Sequence, residues 1–266
     1  MQKTGDIGDE KTTELVVKMQ GIVKKFPGVI ANDNVTFDLN PGEIHALMGE
    51  NGSGKTTLMN VLSGLLIPDH GTIFIDGEKV HFRSPHDALQ KGIGMVHQHF
   101  MLVPTLTVAE NIILGLERPW KLYNAKAVEE SLSALPEKFG LQIDLHAKVA
   151  DLSVGEQQRV EIAKVLYRNA RILILDEPTS MLTPQETQDL FKFVRLMVQS
   201  GLSVIFVTHK LDEVFAASDR ISVMSKGRNV CTIQTCDAEE NYLVKKIFGE
   251  ANGRVLCNGN DSIRGS

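Results

Sequence analysis

Cysteine is scarce: Cys231, Cys236 and Cys257 are the only three in 266 residues, all late in the chain and in no zinc or redox spacing. That excludes a cysteine metal site and a disulfide framework, and the expectation is ordinary thiols in a reducing, cytoplasmic compartment. No run approaches the roughly 18 apolar residues of a membrane span. The N-terminus also lacks the basic-then-apolar order of a signal peptide. Positive charge is not in excess: 28 Lys and Arg against 33 Asp and Glu leave a net charge of −5, which argues against a surface built mainly for nucleic acid. No internal repeat is visible. With 42% hydrophobic residues, the chain can bury a large core, as one domain with two lobes or as two domains.

Glycine, by contrast, is concentrated where it can do chemistry. Gly49-Glu50-Asn51-Gly52-Ser53-Gly54-Lys55-Thr56 fits the phosphate-binding pattern G-x-x-x-x-G-K-[ST] without a mismatch. Glycines let the backbone approach a ligand, so that successive N–H groups point at phosphate oxygens. Lys55 adds a mobile positive charge, and the Thr56 hydroxyl is placed to ligate Mg²⁺. A helix starting here turns the positive end of its dipole to the anion. The context agrees: Ile44-His45-Ala46-Leu47-Met48 has buried-strand character, and Leu58, Val61, Leu62 and Leu65 recur at helical spacing after the loop. A bound nucleoside triphosphate is expected, with Gly49 to Thr57 as its cradle.

The front of the chain reads as β-rich. Leu15 to Ile22 and Ala31 to Leu39 form strands around the turn Phe26-Pro27-Gly28, and Thr72 to Val80 forms a hairpin closed by Asp76-Gly77. From Ile93-Gly94-Met95-Val96 the pattern changes to a loop around Gln98, then helical stretches from Val108 to Leu116 and from Ala125 to Phe139. Val160, Ile162, Ala163 and Leu166 mark a further buried helix face. Arg171 to Leu175 is a continuous apolar strand ending in Asp176-Glu177. Thr183-Pro184-Gln185-Glu186 then supplies an N-cap, a first-turn proline and a capping-box glutamate in order. The helix it starts shows Leu190, Phe193, Val194 and Met197 on one side. Ser203 to Thr208 is another buried strand that delivers His209 at its carboxyl end, where ligands of open α/β sheets bind. A further strand, Ile221 to Met224, leads to the Lys226-Gly227 turn.

The acidic pair narrows the chemistry. Asp176 can hold the Mg²⁺ shell, and Glu177 can orient a water for in-line attack on a γ-phosphate. His97 and His99 flank Gln98 but have no further ligand in sequence and read as loop residues.

Leu152-Ser153-Val154-Gly155-Glu156-Gln157-Gln158-Arg159 is similar to the LSGGQ signature of ABC-type ATPases, at the spacing from the acidic pair which that family shows. The resemblance spans about Val16 to Phe248. It implies an α/β P-loop NTPase of the ABC ATPase type: a RecA-like core, an antiparallel β subdomain and a small helical subdomain over about 99–165. The ATPase domain would occupy 15–250, with a flexible leader at 1–14 and a disordered tail at 251–266. It further implies that Gln98 is the Q-loop glutamine near Mg²⁺ and the attacking water, that His209 is the switch histidine, and that Phe26 stacks on adenine.

Ser153 and Gly155 would form a second anion site serving another cassette, so the resemblance implies a head-to-tail dimer sandwiching two ATP. Two departures stand out: Val154 replaces the first glycine of the signature, and Thr183 stands where the D-loop has aspartate; no D-loop role is carried over to Thr183. Within the family, Gly92 to Pro104 and Leu182 to Glu186 look like ATP-binding subunits of simple-sugar and nucleoside importers, many of which carry two cassettes in tandem. The implied partners are transmembrane permease subunits, a second cassette and, indirectly, an extracytoplasmic solute-binding protein, at the cytoplasmic face of the membrane. The cofactors are ATP and Mg²⁺, with no nucleic acid. Two rivals are an ABC-type ATPase acting on nucleic acid or ribosomes, which usually carries long coiled coils, zinc modules or a second cassette, and a nucleotide kinase, which would not need the signature.

Overall fold

The computed structural model describes residues 15–115, 130, 132 and 143–248. The expected leader 1–14, the tail 251–266, Cys257 and most of the expected helix from Ala125 to Phe139 lie outside the described residues.

Two apolar runs build the centre. Ile172–Asp176 (β7) and Ser203–Thr208 (β8) are buried at every position and pair in parallel, from Ile172 opposite Ser203 to Asp176 opposite Val207. Ile44–Met48 (β3) lies along the other side of β8, and Ile93–Val96 (β6) along the other side of β7. Arg220–Ser225 (β9) and Arg228–Gln234 (β10) complete a sheet in the order β10-β9-β3-β8-β7-β6, parallel except for the β9–β10 hairpin.

Because strand side chains alternate, each central strand feeds two cores. Leu173, Leu175, Val204 and Phe206 face the helices Val154–Tyr167 (α4) and Pro184–Gln199 (α5). Ile172, Ile174, Ile205 and Val207 face the other way, onto the helix Lys55–Leu62 (α1) and the antiparallel sheet. That sheet comprises Val17–Phe26 (β1), Val29–Leu39 (β2), His70–Ile75 (β4) and Glu78–Val80 (β5), in the order β2-β1-β4-β5. Full burial of each such aliphatic side chain contributes about 1.5–3 kcal/mol. On the β9 side, Leu211–Ala217 (α6) and Glu240–Phe248 (α7) pack on Ala46, Met48, Ile221 and Val223.

Most elements fall where the periodicity places them, with several differences. Leu65 is not on the α1 face: the helix stops at Leu62, Gly64 takes φ +75°, and Leu65 is exposed. A left-handed glycine ends the helix before the apolar spacing runs out. The helix expected over Val108 to Leu116 closes sooner, as Val108–Ile113 (α3), because Leu114 turns to an extended ψ of 128°. Elements also form where sequence reasoning placed none: the short helix Pro85–Gln90 (α2), with Ser84 and Asp87 in a reciprocal cap, the helices α6 and α7, and the strand β10.

Candidate active site

Parallel strands deliver the chemistry to one edge. The loop after β3 holds Gly49 to Gly54, β6 leads to Gln98, β7 ends in Asp176-Glu177 and β8 is followed by His209. In the sheet, β3, β8, β7 and β6 are consecutive neighbours, so these termini gather at the carboxyl end, where open α/β sheets bind ligands.

The glycine-rich loop is held from several sides. Gly54 is the N-cap of α1 at φ +99°, and a Cβ there would meet the Ala31 carbonyl oxygen at 2.2 Å and Asn32 Nδ2 at 2.8 Å. Only glycine fits that left-handed close approach. Asn32, fully buried, donates Nδ2 to the Gly54 carbonyl at 3.0 Å, and the Gly227 amide donates to the Ser53 carbonyl at 3.1 Å. Among the described helices, α1 alone has no acidic residue in its first turn, which leaves its dipole end open to an anion.

Lys55 is buried and donates Nζ to the carbonyls of Gly49 at 2.7 Å and Glu50 at 2.9 Å. Burial pulls its ammonium below the ordinary lysine value, while Glu177 and Asp176 pull it back. Glu50, Asn51, Gly52 and Thr56 are exposed and Thr57 is half-buried; Ser53 is buried with its hydroxyl unpartnered.

Asp176 is 4% exposed, and burial raises its carboxyl above the usual aspartate value, with Glu177 adding and Thr56, His97 and Lys55 opposing. Thr56 Oγ1 donates to Asp176 Oδ1 at 3.4 Å. A buried carboxylate beside a hydroxyl is a hard-oxygen donor set of the kind that suits Mg²⁺.

Glu177 is the meeting point. Gln98 donates Nε2 to its Oε2 at 3.3 Å, and His209 Nδ1 lies 3.1 Å from its Oε1. Its backbone sits at φ +46°, a left-handed conformation costing roughly 1–2 kcal/mol in a residue with a Cβ. The Glu177 amide offsets this by donating to the Val207 carbonyl at 2.9 Å. Strain of this kind, over-determined by its surroundings, is a feature of functional sites.

The other candidates stand apart from these hydrogen bonds. Phe26 ends β1, 40% exposed, with Lys24 Nζ 5.7 Å from its ring centre. Ser153 caps α4 by accepting from the Glu156 amide, and the Gly155 amide donates to Glu186 Oε1 at 3.3 Å. Among the described residues, neither bonds the glycine-rich loop. Thr183 caps α5 by accepting from the Glu186 amide. Sequence reasoning missed Asn32 and also Gln158, which is 1% exposed and donates Nε2 to the Pro178 carbonyl at 2.8 Å. For Gln158 the available signal was a polar residue on the buried face of an amphipathic helix, in line with Ile162 and Leu166. Asn32 had none, because strand alternation puts it opposite Val35, Phe37 and Leu39 and it is a break in that alternation that buries it.

Comparison with known proteins points one way. The sequence profile of the family described as "ABC transporter" matches residues 32–180. The chain is 50% identical over 237 residues to the guanosine import ATP-binding protein NupO of Bacillus subtilis, covering 89% of this chain and 46% of that protein. It is 43% identical over 267 residues to the glucose import ATP-binding protein TsgD13 of Haloferax volcanii, covering 90% of this chain and 48% of that one. The chain thus spans about half the length of the curated relatives it matches. Its fold superimposes on MJ1267, an ATP-binding cassette of an ABC transporter in its ADP conformation, with a TM-score of 0.79 at 26% identity, covering 89% of this chain and 99% of that one.

Proposed function

The chain belongs to the ABC transporter family, and on that premise we propose that it is an ATP-binding and ATP-hydrolysing motor cassette, the N-terminal one of a tandem pair. With transmembrane permease subunits at the cytoplasmic face of a membrane, it powers import of a small solute, a simple sugar or nucleoside, delivered by an extracytoplasmic binding protein. The relatives named for guanosine and glucose import support this reading over action on nucleic acid or ribosomes. The observation that carries it is Glu177 held between Gln98 and His209 beside the buried pair Lys55 and Asp176.

In the mechanism, the amides of Gly49 to Thr57 and the Lys55 ammonium take up the triphosphate, and Phe26 stacks on the adenine. Thr56, Asp176 and Gln98 would hold Mg²⁺. Held there, Mg²⁺ would supply charge neutralisation for the phosphate oxygens. Glu177 then accepts a hydrogen bond from the attacking water and orients it in line with the γ-phosphate. His209 and Gln98 keep that carboxylate aimed, so the catalysis is positioning and charge stabilisation. Ser153 and the Gly155 amide serve the triphosphate of the partner cassette. Closure on ATP and reopening after hydrolysis move the permease.

Light scattering on the Glu177→Gln variant tests this, because trapped ATP accumulates the closed state. The expected result is a particle of twice the mass in Mg-ATP and of single mass without it. A chain that binds no ATP overturns the reading. A monomer that still binds ATP retains the motor and assigns the other half of the sandwich to the second cassette of the tandem pair.

A further inference from the structure

Acidic residues occupy the third position of several helices, and they behave alike with one exception. Asp87 in α2, Glu110 in α3, Glu156 in α4 and Glu186 in α5 each fold back to their own N-cap in a capping box. Glu213 holds the same position in α6, but its N-cap, Lys210, makes no side-chain capping bond. Instead Glu213, 6% exposed, reaches away from its helix to the last residue of β8 and to the loop after β7. Its Oε1 accepts from Thr179 Oγ1 at 2.5 Å, and its Oε2 from Thr208 Oγ1 at 2.8 Å. Lys210 Nζ lies 2.9 Å from Oε1, which compensates the buried charge.

Those hydroxyls are the shoulders of the reacting pair. Thr208 immediately precedes His209, and Thr179 follows Glu177 by two residues. The single carboxylate therefore cross-links the loop leaving β7 to the end of β8 just behind the 3.1 Å contact between Glu177 and His209. Glu177 is half-buried and His209 exposed, so little packing of their own fixes that distance. Two charge-assisted bonds in a buried setting are strong and directional.

We propose that Glu213 is a positioning residue that sets the geometry of the Glu177–His209 pair. Its consequence for turnover rests on the motor reading above; the geometric claim does not. Loosening this staple leaves the phosphate cradle untouched and displaces the imidazole from the carboxylate. A displacement of about 1 Å at a reacting centre costs up to roughly a hundredfold in rate.

The test is a cycle on the full chain with Glu177→Gln and Glu213→Gln, read by the imidazole carbon–proton NMR resonance of His209, identified by its loss in His209→Ala. The expected result is that Glu177→Gln moves this resonance in the wild-type background and no longer does so beside Glu213→Gln. An equal movement in both backgrounds overturns the proposal. Phosphate release is measured in parallel: Glu213→Gln lowers turnover about 10- to 100-fold with Mg-ATP affinity unchanged, and has no further effect in His209→Ala. A loss of affinity and turnover together, or an additive loss in His209→Ala, makes Glu213 merely structural and overturns the proposal. If the wild-type chain releases no phosphate even with its second cassette present, the motor reading fails while the resonance cycle still decides the staple. Should Glu213→Gln not fold, Thr179→Val replaces it in the cycle and Thr179→Ser restores the wild-type response; failure of the serine to restore it overturns the proposal.

Discussion

Glu177 Oε1 and His209 Nδ1 stand 3.1 Å apart although they come from the ends of different strands, 32 residues apart in sequence. The contact exists because β7 and β8 are neighbours in register and because Glu177 adopts a left-handed backbone that turns its carboxylate toward the imidazole. Replacing the carboxylate by the amide of the same shape keeps the packing and removes the base. Glu177→Gln is therefore expected to retain ATP affinity and lower phosphate release by about 10²–10⁴-fold. Unchanged turnover in a phosphate-release assay would remove Glu177 from that role.

Much of this was legible in the sequence because the elements concerned are buried on both faces or capped locally. Ile172 to Asp176 and Ser203 to Thr208 are unbroken apolar runs, and they are the central strands. The Thr183 and Glu186 cap appears as read, since it involves residues three apart. Leu65 was misplaced because apolar spacing alone does not register a glycine that ends a helix. The positive φ of Glu177, the Asn32 bond to Gly54 and the Gly155 contact with Glu186 were not legible. Each depends on which strands or helices become neighbours, a long-range outcome that no local pattern encodes.

Asp176 illustrates stability given up for function. Burial raises its folded-state pKa above the ordinary value of 3.8. The folded chain then holds that proton more tightly than the unfolded one. Stability from this group is full below pH 3.8 and is lost as pH rises through the raised value, so at neutral pH the ionised carboxylate is a net cost. Asp176→Asn is expected to raise the melting temperature of the nucleotide-free chain at pH 7.5, read by calorimetry. In the same variant Mg²⁺-dependent ATP binding should fall by at least about tenfold, the loss that removing even an outer partner of a metal ligand brings. A lower melting temperature would contradict the desolvation argument.

His45 has the opposite sign. It is the one buried histidine of the eight in the chain. Burial first, and then the neighbouring Arg220, push its pKa from 6.5 to about 3, with the bond to the Asp38 carbonyl opposing. The neutral ring donates from Nδ1 to that carbonyl at 2.7 Å and accepts at Nε2 from Ser222 Oγ at 2.9 Å. A depressed folded-state pKa means that its stability is present above pH 6.5 and is lost as pH falls from 6.5 toward 3. The slope is about 1.4 kcal/mol per pH unit. Urea titrations between pH 7 and pH 4 should show that slope in the wild type and a flatter one in His45→Gln, which starts lower because it loses a ring bond. Identical slopes would show that His45 already titrates alike in both states.

Glu186 competes for the anion site that Gly155 is proposed to offer the partner's triphosphate. Its Oε2 accepts from the Thr183 amide at 2.9 Å and the Thr183 hydroxyl at 2.8 Å, while its Oε1 takes the Gly155 amide at 3.3 Å. The Thr183 amide and hydroxyl, then Gly155 and Arg159, hold its carboxyl below the ordinary glutamate value, so it is an anion at neutral pH. An incoming phosphate must displace or repel that charge. Glutamine at the third helical position preserves a capping box, which separates the charge from the fold. Glu186→Gln, placed in the Glu177→Gln background to prevent turnover, is expected to lower the ATP concentration for half-maximal association with the second cassette by several-fold, about one to two tenfold-steps at most for a single charge-assisted bond, with the melting temperature retained. An unchanged or higher ATP requirement, measured by light scattering across an ATP titration, would mean that the Gly155 amide belongs to the fold of this chain and not to its partner's nucleotide.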